Sequence, residues 1–158
     1  MKQNCKILIV DDEQQTLDTY KQILTPPEKQ TKDLLKMLNI ADEDSDNSPP
    51  NFDLSLATQG EQAYELVKQS IKEGDHFALS FMDMRMPPGW DGLTTASKIR
   101  ELDDEIFIII ATGYSDRTID EIQAILQHDV LLINKPFNHD DIYQFAKNFC
   151  QHWSLSHL

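Results

Sequence analysis

Leu79-Ser80-Phe81-Met82-Asp83-Met84-Arg85-Met86-Pro87-Pro88-Gly89-Trp90-Asp91-Gly92 is the stretch whose reading decides the fold. Ala78 to Met82 is short, apolar and uncharged, and it climbs to a single acid, Asp83. Pro87-Pro88-Gly89 then breaks the chain. A run of this kind, bounded by turn residues, suits a strand buried on both faces in a parallel sheet covered by helices. Asp83 then stands where the strand emerges, and in open α/β sheets ligands gather at the carboxyl ends of the strands. An acid there also serves as a helix cap or simply faces water. The other strand ends decide between these roles.

Upstream, Cys5-Lys6-Ile7-Leu8-Ile9-Val10 reads as a first buried strand, and it ends in Asp11-Asp12-Glu13. Leu17, Tyr20, Ile23 and Leu24 follow at helical spacing, so Glu13 to Leu24 is an amphipathic helix. One acid would satisfy its cap; two adjacent acids at a buried strand end exceed that need. Phe52 to Thr58 alternates as a second strand. A helix over Gln59 to Glu73 turns Ala63, Leu66, Val67, Ser70 and Ile71 inward and stops at Gly74.

Downstream, Asp91 or Gly92 opens a third helix with Leu93, Ala96 and Ile99 on one face. Glu105 to Ala111 is the clearest central strand and ends in Thr112-Gly113. Ser115-Asp116 caps a helix through Ile119, Ile122, Ile125 and Leu126. Val130 to Ile133 is a fifth strand ending in Asn134-Lys135-Pro136-Phe137. Asn138 or His139 caps the last helix, with Ile142, Phe145, Ala146, Phe149 and Cys150 inward. Strands alternating with helices mean βαβ units, right-handed crossovers and a mostly parallel sheet.

The 158 residues suit one domain. We expect it over 1–151, with an inserted loop or short helix at about 25–51 and a C-terminal helix extension or tail at 152–158. The segment from Ala41 to Asn51 is acidic and reads as a solvated loop. Acids outnumber bases 27 to 14, for a net charge of -13. That excess argues against nonspecific binding to nucleic acid or an anionic membrane. Cys5 and Cys150 lack metal-ligand spacing and fit a reduced, cytoplasmic protein, with a disulfide as the alternative. The N-terminus runs straight into a strand without a signal-peptide pattern. The longest apolar run, Ile106 to Ala111, is too short to span a bilayer. The five histidines show no ligand spacing.

The strand ends deliver Asp11 and Asp12, Asp83, Thr112 and Lys135. If the strands carrying them are neighbours, the groups converge. Carboxylates about 5 Å apart repel by roughly 3 kcal/mol per pair at an effective dielectric of about 20. Such a cluster protonates or recruits a cation. A hard divalent ion with oxygen ligands answers the need, and Mg²⁺ suits a site with few carboxylates and open water positions. With the Lys135 ammonium and the Thr112 hydroxyl, these are parts for phosphoryl transfer to a carboxylate.

The four segments Ile7-Leu8-Ile9-Val10-Asp11-Asp12-Glu13, Met82-Asp83-Met84-Arg85-Met86-Pro87, Ala111-Thr112-Gly113 and Asn134-Lys135-Pro136-Phe137 together resemble the response-regulator receiver domain of two-component signalling. The resemblance covers Lys6 to about Gln151. It implies a flavodoxin-like (βα)5 fold with helices on both faces of a five-stranded parallel sheet. It implies that Asp83 accepts a phosphoryl group from a kinase phosphohistidine. Mg²⁺ would be held by Asp12 directly, by Asp11 through a water, by Asp83 and by the carbonyl of Arg85. Thr112 and Lys135 would each meet a phosphoryl oxygen. The implied partners are a sensor histidine kinase or phosphotransfer protein. An output module or a second copy would be met through the fourth helix, fifth strand and fifth helix. The module would act as a switch rather than as an enzyme. The Pro87-Pro88-Gly89-Trp90-Asp91-Gly92 run and the insert after the first helix resemble a subgroup found in hybrid histidine kinases and diguanylate cyclases.

Two departures stand out. Receivers often carry an aromatic three residues before the lysine, and here that residue is Leu132. The insert at 25–51 is longer than the usual loop. Trp90 reads as a packing residue beside the turn, with a partner contact as the alternative. Trp153 is either the last contact of the core or part of a helix running past the domain. The alternative function is a Mg²⁺-dependent aspartyl phosphatase or phosphotransferase of haloacid-dehalogenase type. Its nucleophile follows the first strand in an Asp-x-Asp pattern, whereas here that strand ends in Asp11-Asp12-Glu13. A flavin-binding flavodoxin is weaker, because the loop after the first strand lacks a phosphate-cradling composition.

Overall fold

The computed structural model describes residues 5–25, 51–113 and 118–157. Five parallel strands form one sheet in the order β2-β1-β3-β4-β5: β1 (Lys6–Val10), β2 (Asp53–Ala57), β3 (Leu79–Asp83), β4 (Phe107–Thr112) and β5 (Val130–Asn134). The helices are α1 (Gln14–Leu24), α2 (Gly60–Lys72), α3 (Gly92–Leu102), α4 (Ile119–Leu126) and α5 (His139–Ser156). The five strands and five helices expected along the sheet are present among the described residues; their described ends shift by one or two residues, and α4 is described from Ile119. Of the insert expected at about 25–51, residues 26–50 lie outside the described ones.

The strands are apolar on both faces because each face has its own helical layer. Leu8, Val10, Met82, Ile108 and Ile110 pack beneath α2, α3 and α4, with Ala63, Val67, Ala96, Ile99 and Ile122. Their alternate neighbours Ile7, Ile9, Leu79, Phe81 and Ile109 pack beneath α1 and α5, with Leu17, Tyr20, Ile142, Ala146 and Cys150. The period of two along each strand thus sorts one chain into two cores.

Helix ends follow local chemistry. Asp91 caps α3 by accepting from the Thr94 N–H at 2.7 Å, and Asn138 caps α5 through the Asp140 and Asp141 N–H groups. Helix α4 is capped by Thr118, which accepts from the Glu121 N–H at 3.2 Å. The expected cap at Ser115-Asp116 lies outside the described residues. Past Leu126, Gln127 (φ 73°) and Asp129 (φ 54°) take left-handed backbone. Arg100 of α3 secures this turn by donating to the carbonyls of His128 (2.7 Å) and Asp129 (3.1 Å), and also to that of Ile106.

Two details depart from the sequence pattern. Of the four apolar residues that the sequence spaces along α4, Ile119 and Ile125 are 37% and 43% exposed. Only Ile122 and Leu126 of that helix reach the core. Helix α5 continues without a break to Ser156; Ser154 is buried and Trp153 packs on the α1/α5 core. No helix among the described residues is long and apolar enough to cross a membrane.

Candidate phosphoryl-accepting and metal site

The strand order makes β1, β3 and β4 neighbours and puts β5 beside β4. Parallel pairing then brings their carboxyl ends to one rim. Val10 pairs with Met82, Asp83 with Ala111, and Thr112 with Asn134. The residues that follow β1 and β5 therefore enter the same space as Asp83 and Thr112.

Asp11, Asp12 and Asp83 each offer a carboxylate oxygen, and these oxygens all lie within 4.8 Å of one another. Asp11 is 1% exposed and Asp12 is open to solvent. Lys135 enters from β5: its Nζ is 2.9 Å from Asp11 Oδ2 and 3.2 Å from Asp83 Oδ1. Asp11 is further committed, because its Oδ1 accepts from the Glu13 N–H at 2.9 Å. Among the described residues, this is the one group of three or more acid, histidine or cysteine side chains with metal-ligand proximity. An all-oxygen donor set with one member open to water fits a hard divalent ion.

The electrostatics follow from crowding. The Asp83 carboxyl is pushed up to about 6, first by burial away from water and then by the charge of Asp11; Lys135 pulls it back and Asp12 adds to the rise. Burial pulls Lys135 down, but its hydrogen bond to Asp11 and the charges of Asp11 and Asp83 outweigh this and leave it raised. Tyr20 lies beneath the cluster, and burial plus the fields of Asp11 and Asp83 raise its phenol as well.

Thr112 ends β4, 4% exposed, and its carbonyl accepts the Lys135 N–H at 2.8 Å. The Lys135-Pro136 peptide is cis. Arg85 stands two residues beyond Asp83 with an exposed side chain. Leu132, at the position of the expected aromatic, is half-buried against the α2/α3/α4 core.

The loop after Asp83 closes tightly: the Gly92 N–H donates to the Met84 carbonyl at 2.7 Å. A Cβ on Gly92 would run into the Asp83 carbonyl oxygen, so only glycine lets α3 begin this close to β3. Sequence reading missed this constraint, although the glycine lies in the turn that it singled out. Trp90 is a packing residue here. Its ring meets Tyr64 edge-on at 5.8 Å, and Lys98 Nζ lies 5.0 Å above it. A cavity of about 240 Å³ lies at the other end of the strands, lined by Phe107, Asp129, Phe149 and Trp153 among others. None of the predicted site residues borders it.

Residues 47–147 match the family model described as the response regulator receiver domain. No curated protein matches the chain. Among solved structures, a CheY-like response regulator receiver domain protein from Methanospirillum hungatei JF-1 is 21% identical, over 96% of this chain and 97% of that one, with a TM-score of 0.67. CheY in a CheX-CheY-BeF3-Mg²⁺ complex from Borrelia burgdorferi is 21% identical over 90% and 87%, with a TM-score of 0.63. The N-terminal domain of a response regulator/sensory box/GGDEF three-domain protein from Carboxydothermus hydrogenoformans is 19% identical over 97% and 99%, also at 0.63. At these identities the structures establish the fold. The family match leaves the haloacid-dehalogenase alternative without support.

Proposed function

This chain belongs to the response regulator receiver domain family, and from that premise we propose that it is a phosphorylation-operated switch whose acceptor is Asp83. The observation that carries the proposal is the rim itself: three carboxylates with oxygens inside 4.8 Å, and an ammonium 3.2 Å from one of them.

Asp11, Asp12, Asp83 and the Arg85 carbonyl would hold Mg²⁺, and the ion would neutralise part of the acid cluster and of the incoming phosphoryl charge. The Asp83 carboxylate attacks the phosphorus of a phosphohistidine in a sensor kinase or phosphotransfer protein. An O–P bond forms as the P–N bond breaks, and the imidazole leaves with the bonding electron pair. Lys135 turns its ammonium to a phosphoryl oxygen, and the Thr112 hydroxyl donates to another. The added charge favours a second arrangement of the loops after Asp83 and Thr112.

A partner then reads the face of α4, β5 and α5, where Ile119 and Ile125 supply exposed apolar surface. That partner is an output module or a second copy. The Pro87-to-Gly92 motif favours use beside histidine-kinase or diguanylate-cyclase modules, and the likeness to a receiver from a GGDEF protein supports this. The reduced cysteines suit the cytoplasm.

The test is Mg²⁺-dependent labelling by acetyl phosphate, with the modified residue located by mass spectrometry. Label on Asp83, lost in Asp83→Asn, is the expected result. Label elsewhere, or undiminished label in the variant, rejects the assignment.

A further inference from the structure

We propose that Glu61, at the start of α2, is a positioning residue for the loop that carries Arg85. The inference rests on the metal site proposed above, and it concerns a contact that joins residues 29 positions apart.

The loop from Arg85 to Asp91 is tied at its base by the Gly92 N–H to Met84 carbonyl bond. Its far side has a different anchor. The Trp90 N–H donates to Glu61 Oε1 at 2.9 Å. The carboxylate lies against Gly89, close enough that a Cβ there would collide with it. Gly60 brings the start of α2 equally close. A Cβ on it would collide with Thr95 and come within 3.2 Å of the Trp90 Cβ. Tyr64, one turn along α2, meets the Trp90 ring edge-on, and Lys98 of α3 covers that ring. Two helices therefore grip the loop around one charged acceptor.

A carboxylate accepting a main-chain N–H makes a stronger bond than a neutral acceptor. Here it immobilises the segment between Arg85 and Asp91. A metal-binding carbonyl in such a loop works only if its peptide is held before the ion arrives; otherwise binding must also supply the ordering. Groups that orient metal ligands in this way are worth about 10-fold to 100-fold in metal affinity. Glu61 touches neither the acids nor Lys135, so its part is played through the loop.

The experiment uses the full chain in a Trp153→Phe background, so that Trp90 is the remaining indole. Mg²⁺ dissociation constants are measured by calorimetry, and acrylamide quenching of Trp90 is measured without metal. Glu61→Ala is expected to weaken Mg²⁺ about tenfold and to raise Trp90 quenching. Glu61→Gln keeps an acceptor oxygen and is expected to restore both to within about twofold. Gly89→Ala, which displaces the carboxylate from the other side, tests the same contact if Glu61→Ala does not fold. Unchanged affinity or unchanged quenching in Glu61→Ala overturns the positioning role, and so does Glu61→Gln behaving like Glu61→Ala. Asp83→Asn separates the two proposals. If the unsubstituted chain binds Mg²⁺ and Asp83→Asn does not, failure at Glu61 leaves the metal site standing. If the unsubstituted chain binds none, both fall.

Discussion

The Lys135 ammonium stands 3.2 Å from the Asp83 carboxylate, across two strand ends that are not adjacent in the sheet. It also holds Asp11 at 2.9 Å, so one cation answers two acids. Lys135 thus acts as a counter-ion to both acids, so at the proposed site it would compete with Mg²⁺ as well as meet a phosphoryl oxygen.

Lys135→Gln separates these two roles. Removing the ammonium takes one positive charge away from the proposed metal site, so Mg²⁺ is expected to bind more tightly, by about 1 kcal/mol or more. Labelling by acetyl phosphate falls in the same variant, because a phosphoryl oxygen loses its partner. Calorimetry and the labelling rate are expected to move in opposite senses. Parallel movement would contradict the competition.

Asp83 imposes a pH dependence on stability. Its folded pKa, about 6, lies above its ordinary value of 3.8, so its favourable contribution is complete below about pH 4 and is lost as pH rises through about 6. Metal-free Asp83→Asn is therefore expected to be more stable than the unsubstituted protein at pH 7, by about 1–2 kcal/mol after allowance for solvent screening. Its advantage should shrink toward pH 4. Saturating Mg²⁺ is expected to reverse the order, because an ion held at the proposed site stabilises only a chain that binds it. Urea denaturation at pH 4 and pH 7, with and without Mg²⁺, gives the four values needed.

Gly92→Ala forces a methyl group onto the Asp83 carbonyl oxygen. The neighbour is backbone, so relief requires moving α3 or the strand end. A loss of about 1–3 kcal/mol is expected from overpacking, together with slower labelling of Asp83. Denaturant unfolding and the acetyl phosphate assay read the two effects separately.

Arg100→Met keeps much of the side-chain volume and removes the guanidinium from the carbonyls of Ile106, His128 and Asp129. Those carbonyls lose charged donors beside a turn with two left-handed residues. A loss of about 2–4 kcal/mol is expected, measured by thermal or urea unfolding. Hydrogen exchange should rise first at Ile108, whose N–H donates to the Asp129 carbonyl.

Most of the architecture was legible because it is written in local periodicity. Ile7 to Val10 and Phe107 to Ala111 are β-branched or apolar runs that end in chemistry-bearing residues, and alternation with helices leaves few ways to arrange them. The convergence of Asp11, Asp12, Asp83 and Lys135 was legible for the same reason: parallel strands place their carboxyl ends together. What escaped was non-local. Arg100 and Glu61 look like surface charges on amphipathic helices, and nothing near them in sequence announces a carbonyl 28 residues away or an N–H 29 residues away. The exposure of Ile119 and Ile125 was not legible either, because α4 is only eight residues long and its periodicity does not reveal how narrow a stripe the sheet covers.

The segments that leave the acidic rim plunge in opposite directions. Met84 and Met86, beyond Asp83, sink into the layer under α2, α3 and α4. Phe137, beyond Lys135, leans on Tyr20 at 4.8 Å in the layer under α1 and α5. A disturbance at the rim therefore has a foothold above and below the sheet. Tightening the Asp83–Lys135 pair would tug on both storeys of the molecule at once, and loosening it would let each settle independently.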